Sequence, residues 1–497
     1  MPATEIAVEA VARQRDIRLS EWLRRRRLPL NVRCGGRGLC NGCQVELIDA
    51  SGRSRQVRAC QTSVAECLRL RVRIPERSRI AHRPQAVHDF RMNVPRAYAP
   101  LVRKGLGAAI DVGTTTVAVL VVDLASGRII GRAADFNRQM HYGDDVLTRI
   151  SLCTGHPSMV TRLQAAVVRE TIVPLLAGAG ATGRLMCVTV TGNTTMLHLL
   201  AGVDPTPMST VPFTPAFLDH RVIRLPDLGA AEVHLLPGMS AYVGADLCAG
   251  ILASGLAYED GPGLLVDVGT NGEIILKNEG LLYGCATAAG PAFEGAGLTS
   301  GVRAGPGAIE RIRFDREPFA VHTKIIGRKK AVGICGSGYI DLLAEGRRVG
   351  LLNERGRFAT PSRLRLANEV FVSEADIARL LPAKAAIAAG ILTLLHRAAL
   401  LPPQVKMLYL AGGFGLHLDV TNAIACGMLP GFRPGQVQVI GNSSLAGAYL
   451  ALLDNGVLDE WRRLARELNV VELNLDPGFE ARYIDQLALP PPSPPSG

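Results

Sequence analysis

Five cysteines lie close together near the N-terminus, and their spacing indicates a site built from thiolates. Cys34, Cys40 and Cys43 belong to the glycine-rich stretch CGGRGLCNGC, and Cys60 follows after sixteen further residues. Cys67 competes with Cys60 for the fourth position, although the surrounding RACQT favours Cys60. The remaining cysteines are scattered singly through apolar stretches, where a small buried hydrophobic residue is the expected role.

Four thiolates separated by glycines suit a [2Fe-2S] cluster better than a structural zinc ion. Zinc sites usually combine paired Cys-x2-Cys knuckles, and this cluster of cysteines contains one such pair, Cys40 and Cys43. Glycines allow backbone N–H groups to approach the sulfides closely and to stabilise the added electron. The sequence therefore predicts a [2Fe-2S] cluster with ligands Cys34, Cys40, Cys43 and Cys60.

Two copies of DVGT, each after an apolar strand, indicate a phosphate site. Asp111 and Asp267 lie 156 residues apart, and each copy continues as strand, turn and strand, which indicates an internal duplication. Backbone N–H groups of such turns can hold phosphate oxygens, and the aspartates can hold hydrated Mg²⁺. The predicted residues are Asp111, Gly113, Thr114, Thr115 and Thr116 in the first copy, and Asp267, Gly269, Thr270 and Asn271 in the second.

A third glycine motif follows a buried strand near residue 410. The segment VKMLYLAGGFGLHLDVTNAIACG (405–427) predicts a strand, a turn containing Gly412, Gly413 and Gly415, and a helix, which permits close approach of an adenosine. For a bound nucleotide that is hydrolysed, as the resemblance described below implies, the candidate catalytic residues are Asp267, Glu273 and Glu294, and the two glutamates are the candidates to orient the attacking water. Both glutamates could equally be structural carboxylates that cap local backbone.

The elements that position these motifs follow from hydrophobic periodicity. Alternating residues predict N-terminal strands at EIAVEAV, RDIRL and LRLRVRIP, the last with a basic outer face, and a helix with Ser20 as N-cap. Residues 76–105 are rich in proline and charge, which is typical of a linker. Amphipathic helices are predicted at 158–176 and 373–400, so each half after the linker is expected to be a sheet covered by helices.

The distribution of charge and the hydropathy indicate where the protein is located and which kind of partner it binds. Residues 1–104 contain 22 Lys and Arg against 9 Asp and Glu, a net +13, whereas the rest of the chain carries −2. Because no aromatic platform interleaves with the arginines, an acidic protein partner is favoured over nucleic acid. The longest uncharged apolar run, AAIAAGILTLL (385–395), is too short to span a bilayer. The N-terminus lacks the apolar segment of a secretory signal, so a cytoplasmic, non-membrane protein is expected.

Two resemblances rest on these motifs. CGGRGLCNGC followed by RACQT resembles the β-grasp [2Fe-2S] ferredoxin domain, although the stretch from Cys43 to Cys60 is shorter than in relatives. The DVGT turns and AGGFG resemble the phosphate and adenosine motifs of the acetate and sugar kinase, heat-shock protein and actin (ASKHA) superfamily, over roughly residues 106–480. The resemblance assigns its two connecting segments to 189–202 and 333–346, and implies bound ATP and Mg²⁺ on an RNase H-like, actin-like fold.

The order of these parts, with YGDDVLTRI (142–150) and TAAGPAFEGAGL (287–298), resembles the reductive activators of corrinoid proteins. In that family ATP drives an electron from the cluster onto a Co(II) corrinoid protein of a methyltransferase system, restoring Co(I). The resemblance implies a low-potential electron donor (flavodoxin, ferredoxin or a reductase) and a homodimer. The expected α/β multidomain organisation is a ferredoxin domain at 1–75, a linker at 76–105, ASKHA lobes at 106–262 and 263–489, and a disordered tail at 490–497.

Other functions stay open at this point. An ASKHA-type small-molecule kinase could use the ferredoxin domain as a redox sensor, although no sugar- or acid-binding signature is visible. A passive electron-transfer ferredoxin would not need nucleotide motifs, and a module that only shields a corrinoid protein would not need the cysteines. An RNase H-like scaffold that has lost ATP binding is disfavoured because both aspartates and the glycines are present.

Overall fold

The computed structural model describes most of the chain: residues 4–9, 14–26, 28, 30, 32, 36, 38, 42–75, 78, 89–94, 98–181, 184–269, 271–295, 297–359, 363–367, 369–412 and 418–491. Five of the predicted site residues lie outside these ranges, namely Cys34, Cys40, Thr270, Gly413 and Gly415. Much of the predicted linker and nearly all of the predicted tail also lie outside them.

The N-terminal unit contains a four-stranded antiparallel sheet in the order β1-β4-β2-β3. Its buried core includes Trp22 and Leu23 of the helix together with Val45, Val72 and Ile74 of the strands. The strand predicted at LRLRVRIP is confirmed as β4, in which Val72 and Ile74 are buried and Arg71 is exposed. The elements are β1 (Thr4–Ala7), α1 (Leu19–Arg25), β2 (Gln44–Ile48), β3 (Ser54–Arg58) and β4 (Arg71–Ile74).

Two local predictions for this unit are wrong. RDIRL forms no strand: its pairing with the segment after Cys60 is an isolated bridge from Arg18 to Ser63, with backbone hydrogen bonds on either side of it. Helix α1 begins at Leu19 with Arg18 as N-cap, and no side chain caps it. Instead, the backbone N–H groups of Leu19 and Ser20 donate to the carbonyl oxygens of Thr62 and Ala59. The contact with the segment after Cys60 therefore replaces the local cap that the sequence suggested.

The first lobe is a six-stranded mixed sheet, in the order β7-β6-β5-β8-β10-β9, with helices packed against it. The predicted helix at 158–176 is one helical segment with a π-helical turn at Val168–Ile172 between α3 and α4. The elements are β5 (Leu106–Val112), β6 (Thr116–Asp123), β7 (Arg128–Phe136), α2 (Val146–Gly155), α3 (Ser158–Val167), α4 (Val173–Gly178), β8 (Leu185–Gly192), α5 (Thr194–Ala201), β9 (Arg221–Ile223), β10 (Glu232–Leu235) and α6 (Ala245–Ser254).

The second lobe repeats this architecture with a six-stranded sheet in the order β20-β19-β11-β12-β13-β21, and adds a three-stranded and a two-stranded sheet. Its elements are β11 (Gly263–Val268), β12 (Gly272–Asn278), β13 (Leu281–Thr287), β14 (Ala308–Asp315), β15 (Ala320–Ile325), β16 (Gly333–Ile334), α7 (Gly336–Arg348), β17 (Arg363–Ala367), β18 (Val370–Ser373), α8 (Glu374–Arg397), β19 (Met407–Ala411), α9 (Val420–Ala425), β20 (Val437–Gly441), α10 (Ser443–Leu453), α11 (Val457–Glu467), β21 (Leu468–Val470) and α12 (Phe479–Asp485).

The two large sheets have the same topology. In each, three antiparallel strands are followed by two strands that add in parallel to the first: β7-β6-β5-β8-β10 in one and β13-β12-β11-β19-β20 in the other. The DVGT turns join equivalent strands, β5 to β6 and β11 to β12. The duplication that the repeated motif indicated is therefore present in the strand order.

Helices α6 and α10 join the two lobes through an unusually close contact. A side-chain Cβ on Gly447 of α10 would lie 2.4 Å from the Cβ of Ala249 in α6, so only glycine fits there. This pair corrects the assignment of the connecting segments to 189–202 and 333–346. Those residues form β8 with α5, and β16 with α7, whereas α6 and α10 lie between the two sheets.

Part of the predicted linker packs against both lobes. The backbone N–H of Arg91 donates to Ile440 at the end of β20, and that of Asn93 donates to Ala253 in α6, at 2.9 and 3.1 Å. The Asn93 side chain adds a 2.9 Å hydrogen bond to the carbonyl oxygen of Ser254. Residues 89–94 therefore bridge the two lobes beside the α6–α10 pair.

Helix α8 lies in the core of the second lobe. By length and composition it could cross a membrane, but 78% of its most apolar window is buried inside the protein. The apolar run noted in the sequence is therefore part of a longer helix, whose first turn carries the Ser373 and Asp376 capping box.

Candidate functional site

Asp111 and Asp267 lie at matching positions of the two sheets and line one cleft between the lobes. Asp111 accepts hydrogen bonds from the Asn442 side-chain amide and from the Ser444 hydroxyl, both at 2.8 Å. Asp267 lies opposite Glu273 in the β11–β12 register. The fold therefore brings together the two aspartates that the sequence places far apart.

Burial raises the pKa of four carboxylates in this cleft, and repulsion by a neighbouring carboxylate adds to it in three of them. Burial, followed by the charge of Asp111, raises the pKa of Asp267 to about 7. Burial, followed by the charges of Asp267 and Asp111, raises the pKa of Asp246 to about 7. Burial, followed by the same kind of repulsion from Asp246 and Asp267, holds the pKa of Glu273 well above its usual range. Carboxylate oxygens are the ligands that hard divalent cations prefer, so a bound cation would relieve this repulsion.

The first DVGT turn is held by side chains from three helical segments. The Asn193 side chain, at the start of α5, donates to the Thr114 hydroxyl at 2.8 Å. Arg149 of α2 donates to the Thr114 carbonyl oxygen at 2.6 Å, and Asn137 donates to the Gly113 carbonyl oxygen at 2.9 Å. A Cβ on Gly113 would lie 2.7 Å from the Thr116 carbonyl oxygen, so this tight turn requires glycine. Its geometry is therefore fixed before a ligand binds.

Glu294 reaches across the cleft to the first turn. The Thr115 hydroxyl donates to its two carboxylate oxygens at 3.0 and 3.2 Å. Glu294 belongs to the short helical turn Pro291–Glu294 of the second lobe. Its contact is therefore with the opposite lobe, which speaks against a purely local cap.

The described part of the AGGFG motif touches the second aspartate. Gly412, directly after β19, has φ +93°, and a Cβ there would lie 2.8 Å from Asp267 Oδ1 and 2.6 Å from the Val268 carbonyl oxygen. Gly269 and Asn271 line the same cleft. The strand and helix predicted on either side of AGGFG are present as β19 and α9. The three glycine-rich motifs therefore meet, as far as they are described, at one cleft.

Cys43 and Cys60 lie side by side in the buried core of the N-terminal unit. A hydrogen bond from Cys43 is the largest cause that lowers the pKa of the Cys60 thiol to about 6, and contacts from the Gln61 side chain and the Gly38 backbone add to it. Gly38 has φ +73°, and a Cβ there would meet the Gln61 side chain at 3.0 Å. This is the close glycine approach to a sulfur expected around a cluster.

Cys67 lies in a different environment. It is buried, donates to the Ser63 carbonyl oxygen at 3.4 Å, and has its pKa raised to about 11 mainly by burial. Among the described residues no group of three or more His, Cys, Asp or Glu is arranged to hold a metal ion, and Cys34 and Cys40 lie outside them. Cys60 is therefore hydrogen-bonded to Cys43, whereas Cys67 is hydrogen-bonded to the Ser63 carbonyl oxygen.

Sequence reasoning missed several polar residues that line the cleft, and three of them are Asp246, Asn442 and Ser444. All three lie at or near the start of α6 or α10. A repeated Gly-x4-Ala-Gly pattern, GADLCAG (244–250) and GNSSLAG (441–447), marks both helices. This repeat was the available signal, because it accompanies the duplicated DVGT turns.

Comparison with known proteins agrees with the geometry. Models of the RACo middle region and of the C-terminal ASKHA domain of RACo match residues 106–259 and 262–494. The corrinoid activation enzyme RamQ of Eubacterium limosum is 27% identical, and the match covers 92% of this chain and 93% of RamQ. The [Co(II) methylated amine-specific corrinoid protein] reductase of Methanosarcina barkeri is 29% identical over 50% of this chain and 49% of its own.

A solved structure extends the match to the whole chain. The structure of a reductive activator for corrinoid, iron-sulfur protein superposes with a TM-score of 0.73 and 28% identity, covering 97% of both chains. The two family models lie next to each other and include the cleft and the helices that join its lobes. The chain therefore belongs to the RACo family, the reductive activators of corrinoid proteins.

Proposed function

We propose that ATP, bound between the two lobes, drives transfer of one electron from a [2Fe-2S] cluster in the N-terminal unit to a Co(II) corrinoid protein, which returns to Co(I) for methyl transfer. The observation that carries the nucleotide part is the pair Asp111 and Asp267, which face one cleft from equivalent strands. The Methanosarcina relative is named as a reductase of a Co(II) corrinoid protein, which supports the direction of the reaction.

The cleft offers suitable groups for each part of Mg·ATP. Asp111 and Asp267 would hold hydrated Mg²⁺. Burial raises the pKa of both carboxyls, and a bound cation would favour their ionised form. Thr114, Thr115, Thr270 and Asn271 would hold the phosphates. Gly412, Gly413 and Gly415 would admit the adenosine. Glu273 and Glu294 are the candidates to orient the attacking water.

Four cysteines, Cys34, Cys40, Cys43 and Cys60, would hold the cluster, which when bound supplies the electron. The described pair fits this role, because Cys60 has a lowered pKa, and the thiolate is the form that binds iron. The Gln61 amide lies 3.6 Å from the Cys60 sulfur, so it contributes a weak donor beside that ligand. Residues 1–75 would then form the ferredoxin-like domain.

ATP is needed because Co(I) is a strong reductant and the electron moves uphill. Every ~59 mV of unfavourable potential lowers the equilibrium constant of a one-electron transfer about tenfold. A protein can offset this only by binding the product-like state of its partner more tightly in one of its own conformations. Closure of two lobes on a nucleotide is such a conformational change. Residues 89–94 contact both lobes, so closure would also act on the connection to the N-terminal unit.

The partners follow from charge and family. The net +13 of residues 1–104 favours docking of acidic proteins to the electron-carrying end, with a rate that falls as salt is added. We propose a low-potential flavodoxin, ferredoxin or reductase as donor, and a homodimer as the working form.

The proposal is tested by mixing the reduced protein, Mg·ATP and a Co(II) corrinoid protein without oxygen and following the absorption of Co(I). The signal is expected with ATP and not without it. Asp267→Ala is expected to abolish ATP turnover and Co(I) formation while leaving the visible spectrum of the cluster intact. Cys34→Ser is expected to abolish Co(I) formation and to retain ATP binding. ATP-independent Co(I) formation would contradict the proposal.

A further inference from the structure

The charge that lines the cleft is strongly one-sided. Among the described side chains, six carboxylates face it and one cation does: Asp111, Asp246, Asp267, Glu273, Glu294 and Glu310 against Arg303. A triphosphate entering this cleft would be repelled by the carboxylates unless cations accompany it. Mg²⁺ can supply part of that charge, and Arg303 is the protein cation that the described part of the cleft provides.

Arg303 bridges the two lobes. It lies in the second lobe between Glu294 and β14, and its Nη2 is 3.3 Å from Asp144 Oδ2 in the first lobe. The same nitrogen lies 3.7 Å from Glu294 Oε2. The side chains of Arg303 and Asp144 are only 10% and 6% exposed, and the guanidinium lies 5.4 Å from the centre of the Phe136 ring. The pair is therefore largely shielded from solvent and sensitive to any new charge.

The contact between Arg303 and Asp144 is a single one. One carboxylate oxygen meets the guanidinium, whereas Asp144 Oδ1 is buried without a hydrogen-bond partner among the described residues. Strong arginine–carboxylate pairs use both oxygens in a fork. The contact with Asp144 is therefore weaker than a forked pair, so an anion that engages the guanidinium with two oxygens could displace it.

Glu294 occupies the position in which such an anion would lie. Its carboxylate accepts from Thr115 of the first phosphate turn and also lies near Arg303. The Glu294 carboxylate is thus an anion of the protein itself, held by a hydroxyl of the phosphate turn and by a guanidinium. A phosphate oxygen would be bound by the same two groups. Carboxylate and phosphate are the two groups that match the guanidinium fork.

We propose that Arg303 binds the terminal phosphate of ATP and that, without nucleotide, Asp144 and Glu294 hold it across the cleft. This inference rests on the proposed function, since it assumes that the cleft takes ATP. Arg303 then distinguishes the triphosphate from the diphosphate, because the contact is lost with the terminal phosphate. When Arg303 leaves Asp144 for the phosphate, a contact between the lobes is broken. The presence of the terminal phosphate is thereby linked to the contact between the lobes.

The test measures affinity for a non-hydrolysable ATP analogue and for ADP, each with Mg²⁺, by titration calorimetry. A charge-assisted hydrogen bond of this kind corresponds to about ten- to hundredfold in affinity. Arg303→Ala is expected to lower the affinity for the ATP analogue by that factor and the affinity for ADP by about threefold or less. Arg303→Lys, which keeps the charge without the fork, is expected to lie between. Arg482→Ala, which removes a 3.0 Å pair with Asp476 outside the cleft, serves as the matched control and should change neither affinity.

Asp144→Asn is expected to change the affinity for the ATP analogue in the opposite direction. The substitution removes the negative charge that competes for Arg303 and keeps the shape of the side chain. It is expected to tighten the ATP analogue several-fold in the wild-type background and to have no effect when combined with Arg303→Ala. An equal effect of Asp144→Asn in both backgrounds, or an unchanged ratio of ATP-analogue to ADP affinity in Arg303→Ala, overturns the inference. If wild type binds neither nucleotide, the proposed function itself fails. Should Arg303→Ala not fold, Arg303→Lys alone and combined with Asp144→Asn provides the same comparison.

Discussion

Asn442 donates its side-chain amide to Asp111 at 2.8 Å, and its backbone N–H donates to the carbonyl oxygen of Asp89 at 3.0 Å. Asn442 therefore contacts both an aspartate that lines the cleft and the segment that leads to the N-terminal unit. Its Oδ1 also accepts from the Leu445 N–H and caps helix α10. A movement of Asp111 can therefore be transmitted to the linker through Asn442.

Replacement of Asn442 should affect nucleotide binding beyond its effect on stability. Asn442→Ala removes a helix cap, which costs about 1 kcal/mol in the free energy of unfolding, and it leaves Asp111 with one fewer donor. Urea unfolding is expected to show the loss of stability, and calorimetry a weaker affinity for Mg·ATP. Ser373→Ala, which removes the cap of α8 away from the cleft, should cost a similar free energy without changing the affinity. Equal affinities in both variants would assign Asn442 a structural role only.

The sequence was sufficient for residues whose function is local. Asp111, Asp267 and Gly412 each belong to a short motif after an apolar strand, so their setting could be predicted from adjacent residues. The matched strand order of the two lobes follows from the same repeated motif. The choice of Cys60 over Cys67 was also made from adjacent residues, and the placement of Cys60 beside Cys43 supports it without testing the ligand set.

Residues that act across the fold could not be predicted in this way. Arg303 has no motif of its own, and the GADLCAG repeat around Asp246 does not by itself show that α6 reaches the cleft. Both residues line the cleft because α6 and the loop before β14 pack there. Ser20 looked like an N-cap from its neighbours alone, but the start of α1 is satisfied by the backbone of Ala59 and Thr62. In each case a partner distant in sequence decides the role.

The contact of Gly447 with Ala249 should control how the lobes move. In Gly447→Ala the new Cβ would lie 2.4 Å from the Ala249 Cβ and 2.6 Å from its Cα, so α6 and α10 must separate. Overpacking of this kind costs about 1–3 kcal/mol in the free energy of unfolding. ATP turnover is expected to fall as well, because these helices join the lobes. In Gly178→Ala, at the end of α4, the new Cβ meets nothing within 4 Å, so stability should be unchanged or slightly higher and turnover unchanged. Full turnover in Gly447→Ala would show that this helix contact does not control movement of the lobes.

The carboxylates of the cleft should make the metal-free protein less stable as pH rises. The pKa of Asp246 is raised to about 7, mainly by burial, whereas an aspartate in the unfolded chain titrates near ~4. Between these values the folded protein retains a proton that the unfolded chain has released, so the free energy of unfolding falls as pH rises and levels off above about 7. Asp246→Asn removes this titration and should reduce the loss between about pH 5 and about pH 8 by about 2 kcal/mol.

Urea unfolding in the presence of a chelator measures this difference. Asp123→Asn is a suitable control, because hydrogen bonds from Ser126 and Ala125 lower the pKa of that exposed carboxyl and it stays ionised throughout the window. Added Mg²⁺ is expected to stabilise wild type more at the higher pH, since ionised carboxylates attract it. An unchanged slope in Asp246→Asn would show that burial in the cleft does not raise the pKa of this carboxyl.

Spectroscopy of cysteine variants should show which of Cys60 and Cys67 is the fourth ligand of the cluster. All of these cysteines are buried, but Cys60 is hydrogen-bonded to Cys43 and has a lowered pKa, whereas Cys67 donates to the Ser63 carbonyl oxygen and has a raised pKa. Because the thiolate is the ligand form, Cys60→Ser is expected to remove most of the visible absorption and bound iron and sulfide. Cys67→Ser should retain the spectrum and the iron content, with a small loss of stability from the changed core. Loss of the cluster in Cys67→Ser, with its retention in Cys60→Ser, would move the fourth ligand to Cys67 and place the cluster beneath the loop that precedes β4.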